Sequence, residues 1–296
     1  MISKTCMITI CGRPNVGKST LTNALAGEKI AIVSDKPQTT RNRITAICQR
    51  GETQFVFLDT PGFHKPRTRL GDYMVGVVRQ SVADVEAVVL VVEPVASVGP
   101  QEKELIAGIR AAKVPAVLAI NKLDTVEPQR LLEVMAVYSQ EYDFDAVVPI
   151  SAKNREGVED LLQELSAFAV ESPALFPEGV TTDQPEKQVC AELIREKLLL
   201  HLDREVPHGT AVEVTRFTER DNGIIDLEAT IYCEKSSHKG IIIGKGGAML
   251  KKIGESARQE IEAFMGTKVY LQTWVKVKEN WRDSQSLLRN FGFTDN

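Results

Sequence analysis

The chain is expected to fold as an α/β protein, a doubly wound and mainly parallel sheet of P-loop type, followed by a smaller α+β domain. Three observations lead there. Apolar runs that end in polar, chemically loaded loops alternate with amphipathic helices over the first 170 residues. A glycine-rich loop, Gly12-Arg13-Pro14-Asn15-Val16-Gly17-Lys18-Ser19, joins the first of those runs to the first helix. From residue 187 the order changes to helix, two alternating strands, two helices and a last strand.

Composition sets the outer limits. With 296 residues the chain is long enough for two ordinary domains, and 43% hydrophobic with 26% charged residues suits a water-soluble globular protein. No run approaches the roughly 18 to 20 apolar residues of a membrane span. Met1-Ile2-Ser3-Lys4-Thr5 leads straight into the first strand, so no signal peptide is expected. Cys6, Cys11, Cys48, Cys190 and Cys233 are odd in number and scattered without a CxxC pair. Zinc is therefore not expected, and a reducing cytoplasm is. The net charge of −4 hides an asymmetry: Lys235 to Lys278 holds nine basic and three acidic residues. A local excess of that kind suits a nucleic-acid backbone.

The first strand, Ile8 to Cys11, runs into the glycine loop, whose spacing is GxxxxGK[ST]. The backbone N–H groups around Val16, Gly17, Ser19 and Thr20 face an anion at a helix start, and Lys18 adds a full charge. Ser19 offers a hydroxyl to Mg²⁺, and Gly12 and Gly17 let the backbone approach phosphate without a Cβ in the way. Ala31 to Arg43, with Pro37-Gln38-Thr39-Thr40-Arg41, has no hydrophobic period and reads as a loop. Phe55-Val56-Phe57-Leu58 then ends in Asp59-Thr60-Pro61-Gly62. That places a carboxylate at the C-terminal end of a strand, where ligands of open α/β sheets collect. Asp59 is suited to act on Mg²⁺ through water, and the Gly62 N–H to meet a γ-phosphate.

Phe63 to Ser81 is polar and expected to be mobile at its start. Val85 to Val92 and Val114 to Ile120 are near-continuous apolar runs, as parallel strands covered on both faces are. Gln101 to Ala112 and Val158 to Ala169 carry helical stripes. The strand to Ile120 ends in Asn121-Lys122-Leu123-Asp124, and Val147 to Ile150 ends in Ser151-Ala152-Lys153. A carboxylate at Asp124 accepts two hydrogen bonds from the N1–H and amine of guanine, a pair that adenine lacks. Discrimination of that sort is large because the rejected base leaves buried polar groups unmet. GTP or GDP is the expected ligand, and an ATPase would require Asp124 to be incidental.

Together these stretches resemble the TRAFAC class of GTPases. The resemblance implies that one switch threonine meets Mg²⁺ and the γ-phosphate, Thr40 being favoured over Thr39. It also implies a catalytic set of Asn15, Lys18, Thr40, Asp59 and Gly62. One position departs from the Ras-like pattern: Phe63 stands where a glutamine would orient the attacking water. Slow intrinsic hydrolysis, raised by a partner or an ion, is the consequence. Asn15 matches the asparagine that helps to hold K⁺ in related GTPases; equally, it shapes the loop.

Glu171 to Pro185 holds prolines and a glycine without period and reads as a linker or strap, giving expected domains of 1–170 and 187–296 around a linker at 171–186. Lys187 to Asp203 is helical, and Thr210–Arg220 with Ile224–Glu234 forms a hairpin. Gly244-Lys245-Gly246-Gly247 lies between two helices, and Lys268 to Val277 is the last strand. This order resembles a type II KH domain, in which the glycines let a nucleic-acid backbone approach. Lys239, Lys245, Lys251 and Lys252 would neutralise phosphate.

As a whole the chain is similar to the Era family, a resemblance that spans its full length. It implies a small-subunit assembly factor that binds 16S rRNA near its 3′ end on the 30S subunit. It further implies a cytoplasmic monomer with peripheral inner-membrane contact. Trp281, Leu287, Leu288, Phe291 and Phe293 could serve such contact, but core packing is the expected role. A C-terminal domain that binds protein, or DNA, is the rival reading.

Overall fold

The computed structural model describes residues 2–63, 68–81 and 85–293. By contacts they divide into two compact units, with Ile32–Thr39 and 68–73 grouped with the C-terminal residues from Gln184 onward.

In the first unit six strands form the main sheet: β1 (Lys4–Cys11), β2 (Ile44–Arg50), β3 (Thr53–Asp59), β4 (Ala87–Val92), β5 (Ala116–Ile120) and β6 (Ala146–Pro149). Their order is β2-β3-β1-β4-β5-β6, parallel throughout except for the β2–β3 hairpin. The helices are α1 (Lys18–Ala26), the part of α2 (Arg69–Ser81) from Met74 onward, α3 (Pro100–Ala112), α4 (Pro128–Glu141) and α5 (Val158–Leu165). Successive residues of β4 point to opposite layers: Val89 and Val91 pack in one core with Leu21 and Leu161, Val88 and Leu90 in another with Ile106 and Val134. The sheet is thus sandwiched on both faces, which is why β4 and β5 are apolar at every position.

Two helices lie where the sequence carries little pattern. The expected mobile start of the Phe63–Ser81 stretch falls at 64–67, outside the described residues. From Arg69 the chain is helical and buries Leu70, Met74 and Val78. Gly71 and Gly76 lower its intrinsic helix propensity, so tertiary burial carries it. Helix α4 buries only Val134 and Tyr138, too narrow a stripe to read.

The prolines after residue 171 belong to a strap, not a free tether. A two-residue strand, β7 (Val170–Glu171), pairs with the start of β1. Gln54, fully buried, accepts the Leu175 and Phe176 N–H groups at 2.8 and 3.0 Å and donates to the Phe176 carbonyl at 2.8 Å. The Ile47 N–H donates to the Thr181 carbonyl at 2.7 Å.

The second unit contains α6 (Glu186–His201), β8 (Thr210–Glu219), β9 (Ile225–Cys233), α7 (Ser236–Ile243), α8 (Ala248–Met265), β10 (Val269–Val277) and α9 (Gln285–Asn290). Its sheet runs β10-β9-β8, antiparallel between β8 and β9 and parallel between β9 and β10. Leu193, Ile194, Leu227, Ile231, Ile253 and Ile261 form its core, which Ile32 joins. Arg195, Glu196 and Lys197 are consecutive and buried on α6. Their partners explain this: the Val33 N–H donates to Glu196 at 2.9 Å, Arg195 donates to the Thr39 carbonyl, and Lys197 pairs with Glu196 at 2.7 Å and with Glu260. In the tail Trp281, Leu288 and Phe293 are buried, and the Trp281 indole N–H donates to the Gly209 carbonyl at 2.9 Å. They pack inward.

Candidate functional site

β1 and α1 position the glycine loop, and the loop's geometry demands its glycines. Gly12 and Gly17 have φ of +153° and +98°, and a Cβ would lie 2.4 Å from the Val91 carbonyl oxygen at the first and 2.2 Å from Asn121 at the second. Lys18 is buried, with Nζ donating to the Gly12 and Arg13 carbonyls at 3.1 and 2.8 Å. Burial holds its pKa below the usual lysine value, against the pull of Asp59. An incoming polyphosphate would take over those bonds and supply the missing counter-charge. Asn15 stands exposed at the tip with φ +65°, in the left-handed region.

Three predicted metal residues converge. The Ser19 hydroxyl donates to Asp59 Oδ2 at 3.0 Å and lies 2.8 Å from the Thr40 hydroxyl. Thr39 instead turns its hydroxyl to the Lys36 carbonyl at 2.6 Å. Burial pushes Asp59 up to about 6, against the pull of Lys18 and the Ser19 hydroxyl. Its second oxygen, Oδ1, is buried without a hydrogen-bond partner. An orphaned carboxylate oxygen beside two hydroxyls is a hard-oxygen donor set that fits Mg²⁺. The Thr60 hydroxyl donates to the Ile10 carbonyl at 2.9 Å and the Phe63 N–H to Gly12 at 3.2 Å, tying the Asp59–Gly62 loop to the glycine loop. A Cβ on Gly62 would fall 2.8 Å from Pro14 Cα, so only glycine fits. Phe63 is buried in the core and cannot reach a water.

The predicted base-recognition residues form one connected group. Asn121 donates to the Val16 carbonyl at 2.8 Å and accepts the Ala152 N–H at 3.0 Å, bridging two motifs. Ser151 donates to Asp124 Oδ1 at 2.6 Å, which lowers the pKa of that exposed carboxylate and keeps it an acceptor. Ala152 is buried beside it and Lys153 is exposed. Lys122 pairs with Glu93, which also lies 3.6 Å from Arg13; Arg13 in turn pairs with the buried Glu102. Sequence reading missed Glu93 and Glu102. β4 lies between the strands that carry the two motifs, so the residue after Val92 reaches both.

In the second unit the glycine loop joins α7 to α8. Gly244 has φ +73° and ψ 177°, and its Cβ would meet Met249 Cβ at 2.7 Å; Gly246 and Gly247 are left-handed, with open space where a Cβ would be. Beside the loop a groove of about 380 Å³ lies between α8 and β10, lined by Gly247, Leu250, Lys251, Arg258, Leu271 and Thr273 among others. Lys245 is exposed on the loop itself and is not among the groove's lining residues. Lys239 and Lys252 lie off the groove, on α7 and near His201 respectively, and Arg258 takes a place that the sequence reading did not assign.

Comparison with known proteins gives a family to two stretches of the chain. Residues 7–122 match the family described as 50S ribosome-binding GTPase, and residues 205–282 match the KH domain family. GTPase Era of Ruminiclostridium cellulolyticum is 49% identical over 100% of this chain and 99% of the relative. The chain belongs to the Era family. GTPase Era of Clostridioides difficile is 48% identical, covering 99% of each chain. Among solved structures, an Aquifex aeolicus Era variant bound to GDP·AlF4⁻ superposes with TM-score 0.94 at 34% identity, covering 99% of this chain and 100% of that one. An Era complex with MgGDPNP and nucleotides 1506–1542 of 16S ribosomal RNA gives 0.95, with the same identity and coverage. Like the Era proteins it matches, the chain is a GTPase with a KH domain.

Proposed function

We propose that this Era-family GTPase is a nucleotide-controlled switch that binds 16S rRNA near its 3′ end and assists assembly of the 30S subunit. The observation that carries the reading is full-length similarity, at TM-score 0.95, to an Era complex that holds MgGDPNP together with 16S nucleotides. In this reading Lys18 spans the β- and γ-phosphates, and Val16, Gly17, Ser19 and Thr20 donate backbone N–H groups. Ser19 and Thr40 hold Mg²⁺, with Asp59 behind them; the ion, when bound, neutralises charge on the phosphates. The Gly62 N–H faces the γ-phosphate. Asn121, Lys122, Asp124, Ser151, Ala152 and Lys153 enclose guanine.

With phenylalanine at 63 the chain supplies no side chain there to orient water, so hydrolysis is slow by itself. Asn15, exposed at the loop tip, is suited to hold K⁺ beside the phosphates. Turnover in KCl should then exceed turnover in NaCl, and equal rates would retire the ion. RNA lies in the groove at Gly244–Gly247, its backbone passing Lys245 and Lys251. The protein works as a monomer in the cytoplasm, with any contact at the inner membrane peripheral. Crosslinking in cells with sequencing of attached RNA tests the whole. Reads at the 3′ end of 16S rRNA support it, whereas capture of protein without RNA would favour the rival reading.

A further inference from the structure

We propose that the exposed side of β10, at the edge of the second unit's sheet, is a second surface for single-stranded RNA, separate from the groove behind it. Every second residue from 268 to 278 reads Lys268, Tyr270, Gln272, Trp274, Lys276, Lys278. Strand alternation sends this set away from the helices, because Val269 and Val275 are buried in the core and Leu271 and Thr273 line the groove. Tyr270 is 52% and Trp274 44% exposed, and among the described residues no other aromatic side chain is exposed.

Their separation along the strand is about 13 Å, two steps of an extended nucleotide chain, with lysines beyond. The Tyr270 ring is braced. The Arg220 guanidinium lies 5.5 Å from the Tyr270 ring centre while bound to Asp226, and the Gln272 amide donates to the Tyr270 hydroxyl at 3.2 Å. The carboxylates of the adjoining strand, Asp226 and Glu228, are paired with Arg220 and Arg216, and Lys268 is paired with Glu262. Lys276 and Lys278 stay exposed. Aromatic rings flanked by lysines form a stacking platform, since every base has a π-face. β10 is an edge strand, so RNA leaving the groove turns over one edge to reach it.

The inference rests in part on the RNA-binding reading of this unit, and the test separates the two. Anisotropy of the full chain is measured with random-sequence RNA of about six nucleotides, enough for the groove, and of about twenty. Trp274→Ala should weaken the long probe about tenfold and leave the short one unchanged, with Trp274→Phe restoring most of the loss. Trp281 is fully buried, so quenching of tryptophan emission by the long probe reports Trp274 and should vanish in Trp274→Phe. Retained GDP binding and an unchanged melting temperature exclude misfolding. Unchanged long-probe affinity in both Trp274→Ala and Tyr270→Ala overturns the proposal. So does quenching by phosphatidylglycerol vesicles but not by RNA. If Gly246→Asp weakens short-probe binding while Trp274→Ala changes nothing, the groove stands and the platform falls. If Gly246→Asp is silent and the quench persists, the platform stands alone.

Discussion

Two glycine-rich loops in this chain look alike on paper and differ in kind. Gly12–Ser19 and Gly244–Gly247 each follow an apolar stretch, hold a lysine and open a helix. In the first, Lys18 is buried and hydrogen-bonded to its own loop, and Asn121, Thr60 and Phe63 tie the surrounding turns together. In the second, Lys245 is exposed, and nothing stands near the absent Cβ atoms of Gly246 and Gly247. A compact polyphosphate rewards a cradle built in advance, because donors already aimed at it need no ordering on binding. A long chain that threads past needs an open side. Burial, more than glycine content, separates the two loops.

The two loops should differ most at their lysines. Lys18→Ala should lower GTP affinity about 10³-fold, on the order of 4 kcal/mol, because a buried charge loses its partner. Lys245→Ala should weaken RNA only about threefold, as one screened phosphate contact does. Titration of a fluorescent GTP analogue and of labelled RNA gives both numbers, and similar losses would mean that the loops work alike. Asp124→Asn should cost guanine nucleotides about 10²-fold in competition assays. Xanthine nucleotides should then gain, since the amide NH₂ donates where the carboxylate accepted.

Gly246→Asp should weaken RNA about tenfold without altering GTP turnover, because aspartate tolerates the left-handed backbone there but brings a negative charge. Gly244 would be the wrong choice, since its Cβ would strike Met249 and unsettle the fold. The smallest expected effect is at the missed residue. Glu93→Gln should speed nucleotide release about two- to fivefold in stopped flow, as a half-exposed pair does, and leave the hydrolysis step unchanged.

Most of the candidate nucleotide site could be nominated from sequence because each of its parts is contiguous: a strand, then a short run of residues with fixed chemistry. The second unit was legible through alternation in β8–β10 and the stripe of α8. What stayed hidden were features with no local period. Glu93 reads as an ordinary residue after a strand until β4 is placed between β1 and β5. Helix α2 contains two glycines, and α4 exposes most of its surface, so neither offers a stripe.

The order of the residues was enough to settle the α/β class and the guanine-nucleotide ligand, and to nominate the side chains that would meet it. Motif chemistry is local, and local spacing survives in one dimension. Folding decided which of two adjacent threonines faces Ser19, and why three charged residues in a row can be buried on α6. It also decided that Ile32–Thr39 groups with residues more than 150 positions away, through Arg195 and Glu196. Those outcomes depend on pairing between distant residues, where the cost of burying a charge is met only when its partner arrives.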